Sequence, residues 1–348
     1  MVWHAHEMAF GYGAATVAGF LLTSIPNWTS RAPLQGAALA VLVVLWIAGR
    51  LAMLSADRLG APLAAGLDLA FPLVFLGVVA REIMAGRNWR NLSVVAALTL
   101  LLGANLLVHL GAAGDPDLEG VGNRLGIATL LMLVSFIGGR IIPGFTRNWL
   151  TSQRPETSAP ASFGLVDRVA LAATAVALVV WVARPDTAAA AWAALVAGLA
   201  NAVRLARWQG LRVLREPLLW VLHAGYAWLA VGFLLLAGSH ILCVLPPTAA
   251  LHALTVGAIG TMTLAVMTRA SLGHTGRPLV AGAGTTTIYA LITLAAVLRL
   301  LAPLASSHYA LVLDVAGTVW SAAFALFVLL YAAPLARPRV TGNAVPPI

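Results

Sequence analysis

Eleven times between residues 8 and 331 the chain presents a predominantly apolar run of about 20 residues, the length that crosses a hydrocarbon core. The runs are 8–25, 34–54, 61–81, 92–112, 123–142, 163–183, 187–203, 217–237, 249–268, 283–303 and 308–331. Between them lie short connections that hold proline, such as Pro33, Pro116, Pro155, Pro185, Pro246 and Pro278. This pattern predicts an all-α, polytopic transmembrane bundle forming one domain over residues 1–348. It carries a cytoplasmic loop at 143–162 and a short cytoplasmic tail at 332–348. Composition agrees: 9% of the residues are charged, against about 25% in soluble domains. So few charges cannot coat a water-facing surface, which excludes a soluble scaffold, a nucleic-acid reader and a disordered chain.

The scarce charges are sorted. All 21 basic residues are arginine, so no Walker-A or Schiff-base lysine exists. The connections after the odd-numbered runs hold 16 of them: Arg31, Arg81, Arg87, Arg90, Arg140, Arg147, Arg154, Arg168, Arg204, Arg207, Arg212, Arg215, Arg269, Arg277, Arg337 and Arg339. The opposite side holds five: Arg50, Arg58, Arg124, Arg184 and Arg299. By the positive-inside rule the C-terminus is cytoplasmic and the residues before the first run are outside. Only seven residues precede that run, which predicts a twelfth helix upstream of Met1.

Orientation gives each ionisable group a depth. Six of the eight histidines, His4, His6, His109, His240, His252 and His308, fall near the outer face. His223 lies within the eighth run, eight residues past Arg215, and His274 is on the inner side. Asp68, Arg124, Arg299 and Asp314 share the outer half. A charge at the centre of a membrane helix costs about 2.5 to 3.5 kcal/mol, so such groups face the bundle interior and pair. These four read either as structural ion pairs or as haem-propionate and proton-relay groups. The segment His4-Ala5-His6-Glu7-Met8 is the densest set of metal-binding side chains. Imidazole suits copper, zinc and iron, and thioether suits cuprous copper. Residues two apart do not share a helix face, so His6 needs a local unwinding if it is to join His4 at one centre. One cysteine, Cys243, excludes an intrachain disulfide and cysteine-ligated clusters.

Several blocks taken together resemble the NnrS family. They are Trp3–Met8, Gly19–Thr23, Pro26–Thr29, Asn105–His109, Gly138–Pro143, His223–Trp228, and His252–Met262 running into Thr268-Arg269 and Gly273–Arg277. The resemblance implies a bacterial inner-membrane protein of about twelve helices that carries haem b and copper, takes part in the nitric-oxide response and gives tolerance of nitrosative stress. Nitric oxide and the lipid bilayer are the implied partners, with no nucleic acid. On this footing His4, His6 and His109 are expected to hold copper near the outer face. His223 and His252 are expected to ligate haem, with Arg124 and Arg299 near propionates. Glu7, Met8, Arg140, Arg269 and His274 belong to the family-like motifs without an assigned role. The alternative is a transporter or metal-delivery protein using the same histidines as a transit site. The sequence names no catalytic group and no electron donor.

Overall fold

In the computed structural model, residues 2–153, 159–242 and 245–340 are described, and among them the chain is helical with no strand. The elements are α1 (Trp3–Thr29), α2 (Ala37–Leu54), α3 (Ala61–Ala85), α4 (Leu92–Ala112), α5 (Pro116–Gln153), α6 (Leu165–Ala183), α7 (Ala188–Ala206), α8 (Pro217–Ile241), α9 (Pro247–His274), α10 (Ala283–Leu301) and α11 (Tyr309–Ala336). Ten helical segments among the described residues are long and apolar enough to cross a membrane. The last, Ala283–Ala336, is a hairpin of α10 and α11 folded at the 3-10 turn Ala302–His308. Its halves meet through Thr285 Oγ1 and Tyr331 Oη at 2.9 Å. Eleven membrane helices result, as the apolar runs predict.

Local chemistry sets the helix starts. Pro217 opens α8, where its missing N–H costs nothing, and the Glu216 carboxylate accepts from the Leu218 amide at 3.3 Å. Glu216 lies outside the spans, and burial pushes its carboxyl above the ordinary range. Thr187 caps α7 by accepting from the Ala190 amide at 3.3 Å. The helix ends differ from the sequence reading at one place. The fifth run ends at residue 142, yet α5 continues through Pro143 to Gln153. Thus residues 143–153 of the expected loop are helix. Proline inside a membrane helix is tolerated where neighbours re-satisfy the freed backbone. Residues 154–158, 243–244 and 341–348, which include Cys243 and the last eight residues of the expected tail, lie outside the described residues.

The chain forms two compact units, Met1–Leu130 and Leu131–Ile348, with the boundary inside α5. In the first, α2 is peripheral and apolar: Val44, Leu51 and Leu54 are exposed, and its buried residues are Leu42, Gly49 and Ala52. In the second, α8 is the core. Leu218, Leu222, Tyr226, Leu229, Phe233 and Leu236 are buried around its circumference.

Two helices contain a π-helical stretch. In α1 it is Glu7–Gly13 and in α9 it is Ala253–Gly260. Each begins directly after a histidine, His6 and His252. A π turn carries one more residue per turn than α and recurs at functional sites.

Candidate metal centre

Four helices of the first unit converge on Asp68. This residue lies seven positions into α3, at the same end of the unit as the start of α1 and the end of α4. His6 and Asp68 are each 1% exposed. From α1, His6 Nε2 lies 3.1 Å from Asp68 Oδ2. From α4, His109 Nε2 lies 2.9 Å from the same oxygen. Asn105, one turn before His109 on the same face, donates its Nδ2 to that oxygen at 2.8 Å and places its Oδ1 2.9 Å from His6 Nε2. The ligand atoms of His6, Asp68 and His109 all lie within 4.8 Å of one another.

The remaining atoms of the cluster are fixed from behind. His6 Nδ1 faces Glu7 Oε1 at 3.3 Å. Nε2 faces two oxygens, Asp68 Oδ2 and Asn105 Oδ1, and donates to them; a metal ion would replace that proton while Nδ1 donates to Glu7. That carboxylate–histidine arrangement is how metal-ligating imidazoles are usually oriented. Arg50 of α2 donates to both Glu7 and Asp68 Oδ1, so Asp68 turns its other oxygen to the two histidines. Room for the guanidinium comes from Gly11: a Cβ there would lie 2.6 Å from Arg50 Nη1 and 2.7 Å from Glu7 Oε2. Trp46 Nε1 donates to the Gly11 carbonyl at 3.0 Å, inside the π stretch where the α ladder is broken. The π stretch begins after His6, so the His4–His6 interval stays α-helical and the two histidines are not brought to one centre.

The convergence differs from the expected ligand set in two ways. His4 is exposed and is not one of the grouped residues, although it has an interaction of its own. Asp68, read from sequence as an ion-pair or propionate group, does pair with Arg50 and also stands between the histidines. Asn105 was missed. The spacing Asn105-x-x-x-His109 puts an amide and an imidazole on one helix face, and that was the available signal.

The expected haem ligands are not brought together. In the second unit, α8 and α9 run antiparallel. Their register is fixed where Cβ atoms added at Gly225, Gly232 and Gly257 would meet Met262, Leu254 and Trp228. His223 is therefore level with about residue 263 and His252 with about residue 234. At 1.5 Å per residue they stand about 16 Å apart along the helix pair, too far for one iron. His223 donates Nδ1 to the Leu219 carbonyl at 3.1 Å, and its Nε2 faces Thr146 Oγ1 at 3.4 Å. A Cβ at Gly210 would lie 2.6 Å from His223 Cδ2. Gly210 thus packs against one edge of the ring, and both ring nitrogens face protein partners. His252 donates Nδ1 to the Thr248 carbonyl at 2.6 Å.

The other expected residues are dispersed. Arg124 is half-buried on α5 and Arg299 half-buried on α10, whereas Asp314 is exposed on α11. Met8 lies half-buried inside the π stretch of α1. Arg140 lies over the Phe136 ring at 4.9 Å and Arg269 over Phe145 at 4.0 Å. His274 is exposed at the end of α9.

Sequence reading also missed a polar network in the second unit. Fully buried Arg204 donates to Asp167 Oδ1, to the Ser135 carbonyl and to Tyr226 Oη, each at 2.9 Å. Tyr226 donates onward to Asn201 at 2.6 Å, and Asn201 to Thr174 at 2.8 Å. Every hydrogen bond in this chain links α5, α6, α7 or α8, which makes it an interhelical clamp.

A family model described as NnrS protein matches residues 1–339. Comparison with curated proteins and with solved structures returned no significant match.

Proposed function

This chain belongs to the NnrS family, and we propose that it is a multi-pass inner-membrane protein of the nitric-oxide response that binds nitric oxide at a metal ion held in its first unit. The observation that carries the reading is the convergence of His6, Asp68 and His109, from three apolar membrane-length helices, on one buried point. Ionisable groups cost too much there to be kept without a partner or a role. The donor set fits a metal: two imidazole nitrogens and one carboxylate oxygen, with His6 oriented from behind by Glu7. A metal here would supply an open coordination position for a small neutral ligand that partitions into lipid. The protein's own part is to fix the donors and to keep the pocket dry.

Copper and haem b enter the proposal through the family. A metal ion of some kind is supported at His6 and His109, with Asp68 in the place expected for His4. A bis-histidine haem on His223 and His252 is not supported by their separation. No catalytic step is assigned, and the same centre serves a carrier or a sensor equally well.

The test is purification from cells supplied with both cofactors, followed by metal analysis and by spectra taken before and after adding nitric oxide. We expect a bound metal whose spectrum shifts with nitric oxide in the wild type and is lost in His6→Ala. Bound metal with no response would favour the transport or metal-delivery reading. Absence of metal from folded wild-type protein would defeat both.

A further inference from the structure

We infer that the centre built by His6, Asp68, Asn105 and His109 selects a divalent ion of borderline hardness, ferrous iron, over cuprous copper. This inference rests on the metal-centre reading above and adds the identity of the ion.

The donors are the first argument. The four atoms that converge are two imidazole nitrogens, a carboxylate oxygen and an amide oxygen. None is a thiolate or thioether, the ligands that select cuprous copper. Carboxylate and amide oxygens are hard donors, and imidazole suits iron as well as copper and zinc. Two histidines with one carboxylate, and positions left open, is the donor set of non-haem ferrous sites.

Spacing is the second argument. The ligand atoms of His6, Asp68 and His109 all lie within 4.8 Å of one another, so a single ion would take the hard carboxylate oxygen together with both imidazoles.

Charge is the third. Arg50 answers Glu7 and Asp68 Oδ1 together. With both histidines neutral, the group of two carboxylates and one guanidinium carries one net negative charge. A divalent cation compensates this more fully than a monovalent one.

The experiment loads detergent-purified full-length protein, under anaerobic conditions, with ferrous iron alone, with cuprous copper alone, or with both. Metal is measured after desalting against a weak chelator. Electron paramagnetic resonance after adding nitric oxide then separates a high-spin non-haem adduct from a low-spin haem adduct. We expect one iron per chain in preference to copper and the high-spin signal. Asp68→Asn and His109→Ala should lose both, and Asn105→Ala should weaken iron retention by about 10- to 100-fold. His308→Ala, an exposed residue outside the centre, should match wild type. Where Asp68→Asn fails to fold, the partly exposed His109 offers a second reading: His109→Met introduces a thioether and should shift preference toward cuprous copper. Preferential retention of cuprous copper by wild type would overturn this inference and leave the metal-centre reading standing. Unchanged preference in His109→Met would also overturn it. Retention of neither ion by folded protein would overturn both and reduce the cluster to hydrogen-bonded interior contacts.

Discussion

At the scale of single residues, the first unit spends its buried charge on one point. Asp68 is held by Arg50 on one oxygen and by His6, Asn105 and His109 on the other. Removing one member of such a pair leaves the other charge uncompensated in a region that water does not reach, at a cost of about 3–5 kcal/mol. Arg50→Ala should therefore lower the melting temperature of the detergent-solubilised protein by several degrees, while Arg58→Ala, on an exposed turn, leaves it unchanged. Equal melting temperatures would show that Arg50 is not needed to neutralise Asp68. The second unit offers a parallel case of different origin. Arg204 lies so close to Gly139 on α5 that a methyl group there would collide with the guanidinium, which is itself held by three hydrogen bonds and cannot swing away. Gly139→Ala should cost about 1–3 kcal/mol as an overpacking change, measured by thermal unfolding. Gly19→Ala, where a Cβ meets nothing within 4 Å, is the matched control. Which residues meet was only half legible beforehand. Composition and depth marked the outer half and gave His6, His109 and Asp68 as polar groups that must face inward. They did not show that Asp68 stands between the two histidines, because that contact joins residues 6, 68 and 109 across three helices. His4 looked equivalent to His6 in sequence. The two fall on different faces, and only His6 is buried.

At the scale of the element, the deciding feature is the π stretch Glu7–Gly13. The apolar runs predicted nearly every helix, since 20 apolar residues in a row have few alternatives in lipid. They did not predict the π turn, because the periodic pattern of one helix cannot show an extra residue that tertiary contacts pay to keep. The overrun of α5 past Pro143 was missed because the proline was read as a stop, whereas the helix continues through it to Gln153. Deleting Ala9 from the π stretch tests its role directly. One residue fewer restores α geometry with the two flanks in phase and closes the widened turn that carries Glu7 and the Gly11 carbonyl, the supports behind His6. Far-UV circular dichroism should be unchanged, whereas metal retention should fall about 10- to 100-fold. Deleting a residue from the exposed 32–36 connection, which precedes α2, should leave metal retention intact. Full retention after the Ala9 deletion would show that the π turn is not what aims His6.

At the scale of the whole molecule, orientation decides which compartment the metal centre faces. The arginine split, 16 to five, puts the C-terminus in the cytoplasm if the count of spans is right. The start of α1, the early part of α3 and the end of α4 then share the outer half of the bilayer, and these hold His6, Asp68, Asn105 and His109. Fusions check the premise: a reporter active only in the cytoplasm should work at residue 348, and one active only outside should work after Gly114, between α4 and α5. The consequence for the site is testable without fusions. In right-side-out membrane vesicles a membrane-impermeant chelator should strip the metal faster than it does in inside-out vesicles, because on this orientation Asp68 lies seven residues, about 10 Å, from the outer start of α3. Arg50 and Glu7, half-buried at that end, mark the polar rim through which the chelator would act. Equal stripping from both sides would place the centre at mid-membrane. Faster stripping from the inner side would invert the topology and put the centre in the cytoplasmic half.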